Sequence, residues 1–170
     1  MMRWRKMEPS DLDAVHALAD AIHCDHPEDL AVLAARQRLF PDGCQVLDRD
    51  GTLVGYVISH PWEFGQPPAL NAMLEGLPVT PTTYYLHDLA IAPAARGTGS
   101  AGPAVERLAR LAEDMGLANL SLVAVNASRR FWEKFGFEPM DLPGMATKLA
   151  SYGGDAVFMA RALGKQARAR

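Results

Sequence analysis

YYLHDLAIAPAARGTGSAGPAVERLARLAEDM, running from Tyr84 to Met115, is the stretch that decides the fold. Tyr84–Ile91 is largely aromatic and aliphatic, with no glycine or proline before Pro93, and reads as a short strand. Val105, Leu108, Ala112 and Met115 recur at helical spacing, and Gly116 follows as a stop. Between strand and helix lies Arg96-Gly97-Thr98-Gly99-Ser100-Ala101-Gly102. Glycines there let the backbone approach a ligand closely. The helix after them turns unpaired N–H groups and the positive end of its dipole toward that ligand. Together these features predict an anion site suited to a diphosphate. The plainer alternative is a strand-to-helix turn with glycines for tightness.

The kind of diphosphate narrows by elimination. A Walker loop needs Gly-Lys-Ser/Thr at its end, and the lysine is missing. Gly97-x-Gly99-x-x-Gly102 matches the dinucleotide pattern literally. That fold also wants an acid at the end of a second strand, and the next strand here ends in Val125-Asn126. Read instead as Arg96-x-x-Gly99-x-Ala101 after Leu89-Ala90-Ile91-x-Pro93, the stretch resembles the acyl-CoA site of the GNAT superfamily of N-acyltransferases. Downstream, Asn126-Ala127-Ser128-Arg129-Arg130-Phe131-Trp132-Glu133-Lys134-Phe135-Gly136-Phe137 resembles that family's later motif. The resemblance spans residues 84–137. It implies an α/β (α+β mixed) fold, a twisted mixed sheet with helices on both faces. It also implies acetyl-CoA as cosubstrate: Leu89, Ala90 and Ile91 along the pantetheine, Arg96 and Gly97–Gly102 at the diphosphate, and Asn126 as a further pantetheine ligand.

A chain of 170 residues makes one domain, assigned here to 1–163, with a basic, fraying tail over 164–170. No apolar run approaches the ~18 residues of a membrane span, and the N-terminus has no signal-peptide core. Cys24 and Cys44 are isolated, so a reduced, cytoplasmic chain is the simplest expectation. Net charge is −3, and the last ten residues hold four cations and no acid. The body is therefore acidic, which argues weakly against nucleic acid and is compatible with a cationic amine, though most acidic proteins bind no amine. The expected partner is a small-molecule amine, with no membrane and no nucleic acid; a homodimer is one assembly open to it.

Along the chain, Met1–Met7 reads as a strand. Ser10 is expected to cap a helix with Asp13, and Leu12, Val15, Leu18, Ala19 and Ile22 form its buried stripe. His23, Cys24, Asp25 and His26 fit no zinc spacing and read as a solvated helix end. Pro27 suits the first turn of a second helix with Leu30, Leu33, Ala34 and Leu39 inward. Cys44–Leu47 and Leu53–Ile58 form a hairpin around Asp50-Gly51. Residues 63–83 are loop-like, with a helical turn expected at Asn71–Leu77; the stretch reads either as an acceptor-site wall or as a disordered insertion. Leu120–Val125 is a strand, Phe131–Phe135 a short helix, 139–154 a loop, and Asp155–Leu163 the last strand.

Acyl transfer to an amine needs a base for the amine's proton and a donor for the oxyanion. His87 is the candidate base, because an imidazole accepts protons near neutrality. Leu86-His87-x-Leu89-Ala90-Ile91 resembles the arylalkylamine N-acetyltransferase branch, in which a histidine at this place relays the proton. Tyr85, which would share the face of His87 on a regular strand, is the second catalytic candidate. Asp88 would then face away. His16, His60, His23 and His26 read as surface or packing residues. No metal is expected. Trp132 stands where the family often carries a tyrosine acid, and an indole N–H cannot replace it; Tyr84, Tyr85 and Tyr152 are substitutes. The implied activity is N-acetylation of a small primary amine by direct transfer. Protein N-terminal or lysine acetylation, and a non-catalytic acyl-CoA-binding module, are the alternatives.

Overall fold

The structure is a computed structural model that describes residues 1–164. The tail expected to fray lies, from Lys165 on, outside the described residues. In chain order the strands are β1 (Met2–Lys6), β2 (Cys44–Arg49), β3 (Thr52–Trp62), β4 (Thr83–Ile91), β5 (Asn119–Ala124), β6 (Glu138–Pro139) and β7 (Val157–Ala162). The helices are α1 (Leu12–Ile22), α2 (Leu30–Leu39), α3 (Ala101–Asp114), α4 (Arg129–Glu133) and α5 (Met145–Lys148). The fold is mixed α/β, a mostly antiparallel sheet flanked by helices, with strand order β1-β2-β3-β4-β5-β7-β6. Two elements depart from the predicted order: α5 lies inside the stretch expected to be loop, and the helical turn expected at Asn71–Leu77 is irregular chain.

The chain forms two compact units. The first comprises Met1–His60, Leu70–Gly76 and His87–Ala104. Its hairpin turns at Asp50 (φ 52°) and Gly51 (φ 91°), the paired positive values of a tight two-residue hairpin loop. In β3, Gly55 is required by close approach: a Cβ there would meet the Ala90 carbonyl oxygen at 2.9 Å. The core joins Met7, Val15, Leu33, Val46, Tyr56, Ile58 and Ala90. Leu12, Leu18, Ala19 and Ile22 of α1 pack against it, which is the stripe the periodicity predicts. A second cluster gathers Leu47, Val54 and Ala95 with Trp4 and Ile91.

Two expectations in this unit are corrected. The capping pair is Glu8 with Asp11, not Ser10 with Asp13: it closes the 3-10 turn ahead of α1, where the Glu8 N–H donates to Asp11 Oδ2 at 2.8 Å, and Asp11 makes no side-chain cap bond to α1 itself. Arg5 grips the same carboxylate with two nitrogens, so a 3-10 turn over Pro9–Asp11 precedes α1. Helix α2 begins at Leu30, beyond Pro27, and buries Val32, Leu33, Ala35, Arg36 and Gln37 while Leu30 is exposed. The buried Arg36 donates to His60 Nε2 (3.3 Å) and to the Ala72 carbonyl (3.4 Å), so polar contacts hold this helix face down.

The second unit comprises Pro61–Ala69, Leu77–Leu86 and Val105–Arg170. Here β4 runs parallel to β5 through Tyr84–Leu120 and Tyr85–Ser121, and β5 runs antiparallel to β7 through Asn119–Ala162 to Ala124–Val157. Val105, Leu108 and Ala112 of α3 are buried as expected, whereas Met115 is exposed. Gly116 (φ 75°) ends that helix in the left-handed region. Phe131, Trp132 and Phe135 pack edge-to-face or tilted, and Trp132 also meets Phe137, with ring centroids 5.0–6.4 Å apart. Among the described residues no helix is long and apolar enough to cross a membrane.

Candidate functional site

Polar side chains of the first unit gather at the middle of β4. His87 Nε2 lies 2.7 Å from Glu28 Oε1. The Glu28 carboxyl is held down to about 2. Burial pushes it up, but the His87 charge and hydrogen bond, the Asn71 N–H and the Arg36 charge outweigh burial. An ionised carboxylate only accepts, so Nε2 carries the proton of this contact, and the lone pair of a neutral His87 sits on Nδ1. Only 2% of the His87 side chain is exposed, yet the residue as a whole is half-buried, so its accessible surface belongs to the main chain.

Asp88 is equally engaged. It accepts from the Tyr56 hydroxyl at 2.5 Å and lies 3.0 Å from His23 Nε2. His23 follows α1 directly, so this pairing ties the helix end to β4 and corrects its reading as solvated. Burial lowers the His23 pKa, but the Asp88 hydrogen bond and the charges of Asp88 and Glu28 raise it more, for a net upward shift. Tyr56 is pushed well above the ordinary phenol value by burial and by Asp88, so it stays a neutral donor. His87 and Asp88 are consecutive, yet both meet the segment between α1 and α2. Strict alternation would send them to opposite faces, as the sequence reading expected of Asp88. Tyr85 is buried in β4.

Downstream of His87, β4 supplies Leu89, Ala90 and Ile91; Ala90 and Ile91 contribute to the two cores, and Leu89 is half-buried. The turn over 96–100 is shaped by Gly97 (φ 77°) and Gly99 (φ 78°), where a Cβ would meet nothing within 4 Å. Space is therefore open above both glycines, and only the backbone angle demands them. Local bonds fix the turn: Arg96 Nε donates to the Ile91 carbonyl (2.9 Å), Thr98 Oγ1 to the Ala95 carbonyl (2.8 Å), and Trp4 Nε1 to the Ser100 carbonyl (2.8 Å). Ala101 and Gly102 open α3, whose first N–H groups lack partners in their own helix. An exposed, preshaped turn leading into a helix N-terminus fits a diphosphate. In the second unit Asn126 (φ 54°) and Ala127 (φ 59°) reverse the chain after β5, and Asn126 is exposed.

Glu28, Asn71, Tyr56 and His23 escaped the sequence reading as site residues. None lies in a motif. The one local signal was Asn71 itself, an asparagine in a loop, the type that tolerates a positive φ (here 61°).

Residues 9–137 match the acetyltransferase (GNAT) family. The chain belongs to that family. No curated protein sequence matches this GNAT chain. Among solved structures, Ard1 from Thermoplasma volcanium is 18% identical, with 95% of this chain and 97% of that one covered and a TM-score of 0.72. The GNAT-like decarboxylase GphF, in complex with isobutyryl-CoA, is 21% identical over 95% and 99% of the two chains, with a TM-score of 0.75. The ribosomal-protein-S18-alanine N-acetyltransferase from Escherichia coli is 18% identical over 96% and 94%, with a TM-score of 0.67. At these identities the likeness establishes the GNAT fold.

Proposed function

We propose that this GNAT chain transfers an acetyl group from acetyl-CoA directly to the primary amine of a small molecule of the arylalkylamine class. The observation that carries the reading is the His87–Glu28 pair, two residues before Leu89 on the strand that leads into the glycine turn. In it Glu28 fixes the imidazole with Nε2 protonated and leaves Nδ1 as the basic atom. The amine's proton passes to Nδ1, and because the ring is buried a water relays it. The exposed main chain of β4 supplies the N–H that receives the acyl oxygen as charge develops there. Acetyl-CoA, when bound, supplies the activated acyl group. Gly97–Gly102 and Arg96 hold its diphosphate, and Leu89–Ile91 line its pantetheine.

The structures with similar folds include one named a ribosomal-protein-S18-alanine N-acetyltransferase and one named a GNAT-like decarboxylase, so the acceptor is the point to test. Thiol release from acetyl-CoA should be followed with tyramine, tryptamine and phenethylamine, with a lysine peptide, and with peptides bearing a free N-terminal Ala or Met. Release with the arylalkylamines supports the proposal. Release only with peptides would reassign the chain to protein acetylation. CoA binding by calorimetry without release from any acceptor would make it a binding module.

A further inference from the structure

Asn71 lies in the irregular segment between β3 and β4, yet it is tied closely to the segment before α2. Its main-chain N–H donates to Glu28 Oε2 at 2.9 Å. Its side-chain Oδ1 accepts the Asp29 N–H at 2.8 Å, and its Nδ2 donates to Asp29 Oδ2 at 3.3 Å. Only one orientation of the amide satisfies both side-chain contacts, since the reverse would set N–H against N–H and oxygen against carboxylate. A φ of 61° aims the N–H and the side chain at successive residues, Glu28 and Asp29. Few side chains tolerate that angle, and asparagine is one of them.

The consequence falls on Glu28. One carboxylate oxygen faces His87 and the other faces Asn71. Terminal torsions of glutamate are otherwise broad, so a single contact would leave the carboxylate free to swing. Two contacts from opposite sides set its plane, and that plane sets where the Nε2–H of His87 points. Arg36 reinforces the arrangement, since it donates to the carbonyl of Ala72, the residue after Asn71.

We propose that Asn71 is a positioning residue that acts through Glu28 on His87, locking the imidazole in the Nε2-protonated tautomer. This rests on the reading of His87 as the base. It makes the segment Leu70–Gly76 part of the machinery for proton removal rather than a connection.

Asn71→Gly and Asn71→Asp test it. Both residues accept the backbone angle, and Asn71 is exposed, so neither change opens the core. Glycine removes both side-chain contacts to Asp29, the anchors that hold the main-chain N–H on Glu28, while keeping that N–H itself. Aspartate sets a carboxylate against that of Asp29. With acetyl-CoA and the best amine of the panel, each variant should lose roughly 10-fold in kcat, less than the ~10²-fold that an ångström of misplacement costs. CoA affinity and melting temperature should hold. In a His87→Gln background Asn71→Gly should cost nothing more, because a residue acting through His87 has nothing left to act on.

A second readout needs no turnover. Long-range ¹H–¹⁵N spectra should show neutral His87 with its proton on Nε2 in the wild type and as a tautomer mixture in Asn71→Gly. Unchanged kcat and tautomer in Asn71→Gly, or full additivity with His87→Gln, would overturn the positioning role while leaving His87 as base. Wild-type turnover in His87→Gln would instead remove the base reading and this inference with it.

Discussion

At the scale of single residues, the proposed chemistry turns on a buried carboxylate and a buried imidazole. His87→Gln keeps a hydrogen-bonding side chain but cannot take a proton near neutrality. Turnover should fall roughly 10²-fold, the lower range for general-base catalysis, with CoA affinity unchanged by calorimetry. Glu28 makes a second prediction, about stability. Its carboxyl sits at about 2 in the fold against 4.5 for an unperturbed glutamate. A lowered native pKa contributes stability above the unfolded value that is lost as pH falls toward the native one. Urea unfolding from pH 6 to pH 2.5 should therefore show a stability loss across pH 4.5 to 2 that is shallower in Glu28→Gln. Asp11, Asp48 and Glu106 are also held low by arginines and contribute to both proteins alike. Equal slopes would mean that Glu28 is not ionised by its surroundings as described.

At the scale of elements, the turn between β4 and α3 is built by backbone angle. Gly99→Val combines two penalties: a β-branched residue at φ 78°, and a side chain in the open space where a diphosphate would sit. CoA affinity should drop at least tenfold by calorimetry while circular dichroism stays native, because no neighbouring atom is struck. Unchanged affinity would dissociate this turn from CoA. Helix α4 tells a different story. Trp132 is buried among Phe131, Phe135 and Phe137, where its ring packs. Trp132→Phe keeps most of that contact, so kcat should change less than about threefold, far below the range for a lost acid. Trp132→Ala should cost roughly 3–5 kcal/mol by denaturant titration, the usual loss for a buried tryptophan. Collapse of turnover in a folded Trp132→Phe protein would give the indole a role that packing does not supply.

At the scale of the molecule, each compact unit is assembled from separated pieces of chain. The first takes in Leu70–Gly76, joined to the segment before α2 by Asn71 and to α2 by Arg36. The second holds the Phe64–Phe158 contact (5.7 Å), the Tyr152 hydroxyl on the Pro68 carbonyl (2.7 Å) and the Lys148 ammonium on the Gly65 carbonyl (3.1 Å). Those contacts give the 139–154 segment its own helix, α5, where proline and glycine content predicted loop. Composition reported the breakers correctly, but Met145 and Leu149 form a small cluster with Phe158 that makes a short helix worthwhile.

What the sequence determined by itself was local. The strand, glycine turn and helix over 84–115, the α1 stripe, the Asp50-Gly51 hairpin and the stop at Gly116 each depend on neighbours a few residues apart, and periodicity or backbone angle records them directly. His87 entered as a candidate through its place on the strand before Leu89 and the family branch that this stretch resembles. Only the tertiary structure decided its company. Glu28 lies 59 residues from His87, Asn71 43 residues from Glu28, and Tyr56 32 residues from Asp88. No spacing rule links such positions. They meet because the hydrophobic core sets β3 and β4 against α1 and the segment before α2, and a buried carboxylate must then find donors where packing has left them.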